Sequence, residues 1–247
     1  MRLVSRPALL WIFLFALCAA GAWIYLAYSR DLEAAHARLE GASKIAETAS
    51  GPVEYAVLGE GRPLLMVHGS GGGWDQGLDF AQVFASKGYK VIAVSRFGYL
   101  GTPYPQDASP ETQADAHANL LTALGIEKAA ILGASAGGPS TMQFAIRHPD
   151  KCAAMILLVP LAWKPEDVTS SAPKISPWQQ KILTSLVGSD FVFWAAIKLA
   201  PDAIMSKVLA TPIEDFAAAP QSEKARIITM RDHILPVSRR IKGLMND

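Results

Sequence analysis

The sequence predicts an α/β fold: a mostly parallel sheet with flanking helices and a helical C-terminal part, preceded by a transmembrane helix. Three observations carry this. Residues 43–160 alternate short apolar runs with amphipathic stretches, the pattern of strands separated by helices. Two of the runs, PLLMVH and KVIAV, read as buried strands, and a third, AAMILLV, is a continuously apolar strand. From Ala8 to Tyr28 there is no charged residue.

Along the chain, Lys44–Thr48 and Val53–Leu58 read as short strands around a Gly51-Pro52 turn. They are joined too tightly for a crossover, so they should pair antiparallel. Pro63–His68 is a buried strand ended by glycines, Leu78–Lys87 a helix stopped by Gly88, and Lys90–Val94 another strand. Pro110–Leu124 is a helix with Ser109 as its N-cap and Gly125 as its stop. Lys128–Ala134 is a strand, Ala136–His148 a helix, and Ala153–Val159 a strand. After Pro160 the pattern is helical, broken at Pro165, Pro173, Pro177, Pro201, Pro212, Pro220 and Pro236. Trp178–Leu186, Phe191–Leu199 and Glu223–Ile234 read as helices, with Trp178, Phe191, Phe193 and Trp194 as packing residues.

Composition excludes several classes. With 51% apolar and 18% charged residues in a chain of 247, disorder is excluded. Two cysteines cannot build a disulfide scaffold or a structural zinc site. A net charge of +1 leaves no electrostatic footprint for nucleic acid. Neither a metal nor a cofactor is expected. Three of the 23 basic residues, Arg2, Arg6 and Arg30, and none of the 22 acids lie in residues 1–30, so the remainder is net −2.

The uncharged run 8–28 is about 31 Å long as a helix, enough to cross a bilayer core. Trp23, Tyr25 and Tyr28 sit at its far end, where aromatic belts form. Arg2 and Arg6 before it place the N-terminus in the cytoplasm and the folded part on the extracytoplasmic side, as a single-pass anchored protein. The competing reading is a cleaved signal peptide with its site at Ala20-Gly21-Ala22. Residues 29–42 continue as a helical stalk that stops near Gly41, with His36 solvated. The organisation is thus 1–42 anchor and stalk, 43–160 sheet core, and 161–247 a helical part.

Chemistry is carried by two glycine-flanked turns. Gly133-Ala134-Ser135-Ala136-Gly137 lies between a strand and a helix, the context a nucleophile elbow requires. A sharp turn there presents Ser135 Oγ at the sheet edge, with a helix N-terminus behind it for a developing oxyanion. His68-Gly69-Ser70-Gly71-Gly72-Gly73 follows a buried strand and allows close backbone approach to a ligand. Its N–H groups, at Gly69, Ser70 and Gly71, would supply one half of an oxyanion hole and Ala136 N–H the other. A dinucleotide loop is the rival, but the third glycine would fall on Trp74 or Gln76.

VHGSGGG (67–73), SRFGY (95–99), GASAGG (133–138) and RHPD (147–150) together resemble the α/β-hydrolase family. The resemblance covers about residues 51–247, and it implies that the helical stretch 161–247 is the family's helical lid. It implies a serine nucleophile, Ser135, acting on an ester or related small acyl substrate. SRFGY replaces the family's more usual acid-plus-Arg-Gly loop. The family completes its triad with an acid and a histidine beyond the lid, and no such signal follows Ser135 here. The expectation is therefore a chain that lacks its C-terminal acid, histidine and last strands, with little turnover by itself. Its last strand, 153–159, would be left with an open edge and the isolated chain prone to aggregate.

Among the histidines, His68 reads as structural in the glycine loop, His117 as solvated on a surface helix, and His148 as too distant. His233, beside Asp232 in the lid sequence RDHILP, is a candidate to face the pocket, on a par with His68 as a substitute base. Asp75 reads as a helix cap, with Gln76 bordering the pocket. The alternative function is a non-catalytic, hydrolase-like protein that binds a small ligand. A perhydrolase or carbon–carbon bond hydrolase would use the same serine.

Overall fold

The computed structural model describes residues 6–162 and 176–247, so the expectations for Pro165 and Pro173 fall outside the described residues. Helix α1 (Arg6–Leu39) is one unbroken helix of 34 residues. It ends where Gly41 takes a φ of 68°, a left-handed conformation that glycine adopts without a Cβ clash. Its first part exposes apolar side chains all round, Trp11, Phe15 and Trp23 each more than 70%. By length and composition it can cross a membrane.

The strands are β1 (Lys44–Thr48), β2 (Gly51–Leu58), β3 (Arg62–Val67), β4 (Tyr89–Val94), β5 (Ala129–Ala134) and β6 (Cys152–Leu158). They form one sheet in the order β1-β2-β4-β3-β5-β6. The pairs β1–β2 and β2–β4 are antiparallel, and β3–β4, β3–β5 and β5–β6 are parallel. Helices α2 (Trp74–Ala85), α3 (Pro110–Ala123) and α4 (Gly138–Arg147) cover it.

Both faces are packed, and the alternation of side chains along the strands shows how. Leu65 and Val67 of β3 join Ile92, Val94, Ile131, Leu120 and Phe144 in one core. Leu64 and Met66 join Val91, Ala93, Leu132, Trp74 and Leu39 in the other. Each face therefore has a dry interior at β3 and β4, which explains their continuous apolar runs, whereas the equally apolar β6 is mostly exposed.

Three expectations need correction here. Helix α2 begins at Trp74, not Leu78, because Gly77 lies against β4, where a Cβ would stand 3.0 Å from Ala93 Cβ. The turn at Ser135 does not pass straight into α4: a 3₁₀ turn, Ser135–Gly137, comes first. His117 is fully buried, bonded to Ser140 Oγ at 3.3 Å, because α3 packs against α4 and not against solvent. Burial, then the charges of Arg96 and His148, pulls its pKa down to about 3.

Beyond Pro160 the described residues form α5 (Pro177–Val187), α6 (Asp190–Leu199), α7 (Pro201–Lys207), α8 (Ile213–Ala218), α9 (Gln221–Asp232) and α10 (Ile241–Leu244). Prolines open α5 and α7 in the first turn, where no N–H is needed. Ser176 with Gln179 forms a capping box on α5, and Ser189 Oγ accepts from Val192 N–H at the start of α6. Trp194 is buried, but Trp178 is 64% exposed and Phe191 45%, against their expectation as packing residues. No described element covers the stripe of α5 on which Trp178 lies. Strand β6 pairs with β5 alone and leaves Met155, Ile156 and Leu158 exposed.

Candidate active site

Strand β5 ends at Ala134, and the next residue, Ser135, takes a φ of +47°. A non-glycine residue in that region costs about 1–2 kcal/mol and is held by its surroundings. Small neighbours make the turn possible. A Cβ at Gly133 would stand 2.2 Å from Thr141 Oγ1, and one at Gly137 would stand 2.6 Å from the His68 carbonyl oxygen. Leu161 N–H donates to the Ser135 carbonyl at 2.9 Å and secures the chain leaving β6 behind the turn. Ser135 itself is exposed while Ala134, Ala136 and Gly137 are buried.

The glycine loop lies directly against it: a Cβ at Gly69 would be 3.1 Å from Ser135 Cβ. Gly69 N–H donates to Gln76 Oε1 (3.2 Å), Gly71 N–H to Tyr99 Oη (3.3 Å) and Gly72 N–H to the Gly69 carbonyl (3.3 Å). Among the described residues, Ser70 N–H and Ala136 N–H have no such acceptor. The loop thus uses Gly69 and Gly71 to hold its shape and leaves Ser70 open.

His68 is fully buried and structural. Its Nε2 accepts from Arg96 N–H (3.0 Å), so its Nδ1 carries the proton and donates to the Gly69 carbonyl (2.7 Å). Burial, then the Arg96 charge, holds its pKa well below the ordinary histidine value. Under the loop, Asp75 does not cap α2: Gly73 is the N-cap, with no side-chain bond. Asp75 takes a fork from Arg240 (3.0 and 2.7 Å) and a contact from Arg38 of α1. Burial pushes its pKa up, but the two guanidinium groups outweigh this and hold it well below the carboxylate range. Arg240 also donates to the Gly72 carbonyl. Two residues distant in sequence, Arg240 directly and Arg38 through Asp75, therefore clamp the glycine loop.

Ser95 stands where the resemblance led one to expect an acid, and Glu54 of β2 supplies the carboxylate, bonded to Ser95 Oγ at 2.9 Å. Arg96 donates to the Ala136 carbonyl (3.2 Å) and forms a fork with Asp247 (2.8 and 2.8 Å). It lines a cavity of about 300 Å³ with Ala136, Pro139, Leu161 and Asp247.

The other histidines lie elsewhere. His148 bonds Asp115 (2.8 Å). His233 bonds Asp79 (2.6 Å) and lines a separate cavity of about 320 Å³ between α1 and α6. Among the described residues no histidine is bonded to Ser135. Sequence reasoning missed Arg38, Arg240, Tyr99 and Glu54; only Tyr99, inside SRFGY, stood in a motif.

A strained serine between strand and helix, touching a glycine loop with an open N–H, is the arrangement of one known fold. The sequence pattern of the alpha/beta hydrolase fold matches residues 62–221. The chain belongs to the alpha/beta hydrolase fold family. Among its relatives, 2-hydroxy-6-oxo-6-phenylhexa-2,4-dienoate hydrolase of Comamonas testosteroni is 34% identical over 113 residues, 44% of this chain and 40% of that one. An uncharacterized hydrolase of Bacillus subtilis is 30% identical over 145 residues, 55% of this chain and 51% of that one. The chain spans about half, or less, of the length of these relatives. An alpha/beta hydrolase fold protein from Nakamurella multipartita superposes with a TM-score of 0.64 at 27% identity, over 83% of this chain and 72% of the other. A membrane phospholipase A shares the fold at 21% identity, with a TM-score of 0.54, over 98% of this chain and 74% of that one.

Proposed function

We propose that this alpha/beta hydrolase is a membrane-anchored serine hydrolase of an ester or related small acyl substrate. Residues 1–42 serve as anchor and stalk, with 8–28 in the bilayer and the folded part outside the cytoplasm. Residues 43–160 form the catalytic core and 161–247 its lid. The observation that carries the reading is the exposed Ser135 at positive φ beside the glycine loop.

Ser135 Oγ attacks the substrate carbonyl, and the oxyanion accepts from Ser70 and Ala136 N–H. The N-terminus of α4 behind the turn adds a favourable dipole. Gly69 and Gly71 bring the loop close enough for this contact. The serine proton needs a base, and no described histidine is bonded to Ser135, so the described residues supply nucleophile and oxyanion donors only. An unassisted serine retains a small part of triad activity, and the proposal includes low turnover for this stretch of chain.

The test is a fluorophosphonate probe applied to membranes that contain the full chain. Covalent labelling that disappears in Ser135→Ala is expected. Labelling that persists in Ser135→Ala, or no labelling at all, overturns the reading. The missing contact between histidine and Ser135 favours a second reading, a binding protein of hydrolase fold. Ligand binding that survives Ser135→Ala, without turnover, would distinguish it.

A further inference from the structure

Helix α1 does not leave the sheet region alone on emerging from its apolar stretch. Tyr28, the last residue of the uncharged run, meets Phe191 edge-on at 5.3 Å between ring centroids and Trp194 at 5.6 Å. Phe191 and Trp194 stack at 5.9 Å. The first turn of α6 therefore sits at the level where the apolar run of α1 ends. Beyond that level the contacts turn polar: Trp194 Nε1 donates to Asp31 (3.0 Å) and Lys198 Nζ pairs with Asp31 (2.9 Å). Helix α6 thus runs from Phe191 and Val192, beside the end of the apolar run and with Asp190 engaged by Ser238, to a basic end beside the charged part of α1.

Helix α5 enters this apolar end directly, through Gly188 and Ser189. Trp178, Ile182 and Leu186 fall at intervals of four, on one face of the helix. They are 64%, 51% and 49% exposed, and Phe191 and Val192 extend the patch at 45% and 40%. The one charged residue of α5 is Lys181. Large apolar side chains stacked over adjacent turns are not the surface of a helix bathed in water. A tryptophan, an aliphatic stripe and a lysine are the composition of a helix that lies in the headgroup region.

We propose that the face of α5 and the first turn of α6 is a lipid-binding surface, immersed in the same bilayer leaflet from which α1 emerges. The proposal rests on the anchored reading of residues 8–28. The continuous contact from Tyr28 to Phe191 selects a bilayer as the occupant, since the patch adjoins the segment that enters it.

Nitroxide labels tell the two readings apart. In a Cys152→Ala background, a label on the native Cys18 reports the anchor. In a Cys18→Ser, Cys152→Ala background, labels on Ile182→Cys and Leu186→Cys report the surface, and a label on Glu127→Cys reports the opposite end of the sheet. The full chain is reconstituted into phosphatidylcholine–phosphatidylglycerol vesicles, and collision with oxygen is compared with collision with a polar nickel chelate. The Ile182→Cys and Leu186→Cys labels are expected about 5–10 Å into the boundary between headgroups and acyl chains, with the Glu127→Cys label in water. A water-exposed Cys18 label would overturn the anchored reading and this proposal with it. A buried Cys18 label with chelate-accessible labels at 182 and 186 would overturn the proposal alone. Spin–spin broadening between copies at 182 and 186 would assign the face to a second copy and overturn it equally.

Discussion

The turn at Ser135 and the glycine loop touch each other, yet they are held in different ways. The Ser135 turn is built from small residues close in sequence: Gly133, Gly137 and Thr141 lie within six residues of the serine, and Leu161 N–H ties its carbonyl from outside. The glycine loop has Gln76 close by, but it is held mainly from afar, by Arg240, Arg38 and Tyr99. A local device survives as a motif. A non-local one depends on ion pairs whose members carry no sequence signature.

The largest effect separating the two is expected at Asp75. Asp75→Ala leaves the Arg240 guanidinium, fully buried, without its carboxylate. Breaking one side of a buried pair costs about 3–5 kcal/mol, and denaturation of the full chain in detergent should read a loss of that size. Replacing both partners with apolar residues, Asp75→Leu with Arg240→Met, should recover most of it. If the single variant is neutral, the loop does not depend on the clamp.

Acid should come next, and it acts on both regions through their buried histidines. His68 and His117 are neutral in the folded chain, with folded pKa values depressed below the free value of 6.5. Below pH 6.5 the unfolded chain takes up protons that the folded chain refuses, so stability falls as the pH drops. For His117 that window runs from 6.5 to about 3. Each histidine contributes a slope approaching 1.4 kcal/mol per pH unit. Unfolding free energies measured between pH 7 and 4 should show it, and His117→Asn should remove about one proton from the uptake.

The same substitution in each turn gives a smaller and sharper contrast. In Gly137→Ala the new Cβ meets the His68 and Val67 carbonyl oxygens at 2.6 and 2.7 Å, and the backbone must shift, for a loss of about 1–3 kcal/mol. In Gly71→Ala the nearest atom is 3.6 Å away, and only the φ of +71° resists, for about 1 kcal/mol. Equal losses would mean that the two turns are not held differently.

These cases show what was legible. The sheet could be read because β3 and β6 are continuous apolar runs and because the prolines and Ser109 mark helix starts. The Ser135 turn could be read because its small residues are consecutive. The clamp could not, since Arg38 stands in a stalk that looks solvated and Arg240 in a polar C-terminal stretch. His117 was misread for a related reason: its helix is alanine-rich and weakly amphipathic, so nothing in α3 announces which face meets α4.

The smallest stability effect is expected at Arg38, and it is the most informative about coupling. Arg38 lies on α1, yet its guanidinium reaches Asp75 and donates to the Leu235 and His233 carbonyls at 2.7 and 3.3 Å. It is partly exposed, and Arg240 still compensates Asp75 when it is gone. Arg38→Lys should therefore cost about 1 kcal/mol or less. A lysine cannot reproduce the guanidinium bonds that join Asp75 to the two carbonyls, so Asp75, and with it the glycine loop, should lose part of its fixed position relative to α1. The reading of Ser70 as an oxyanion donor then expects slower fluorophosphonate labelling of Ser135 in Arg38→Lys. Unchanged labelling would mean that Arg240 alone positions the loop and that the stalk does not act on the site.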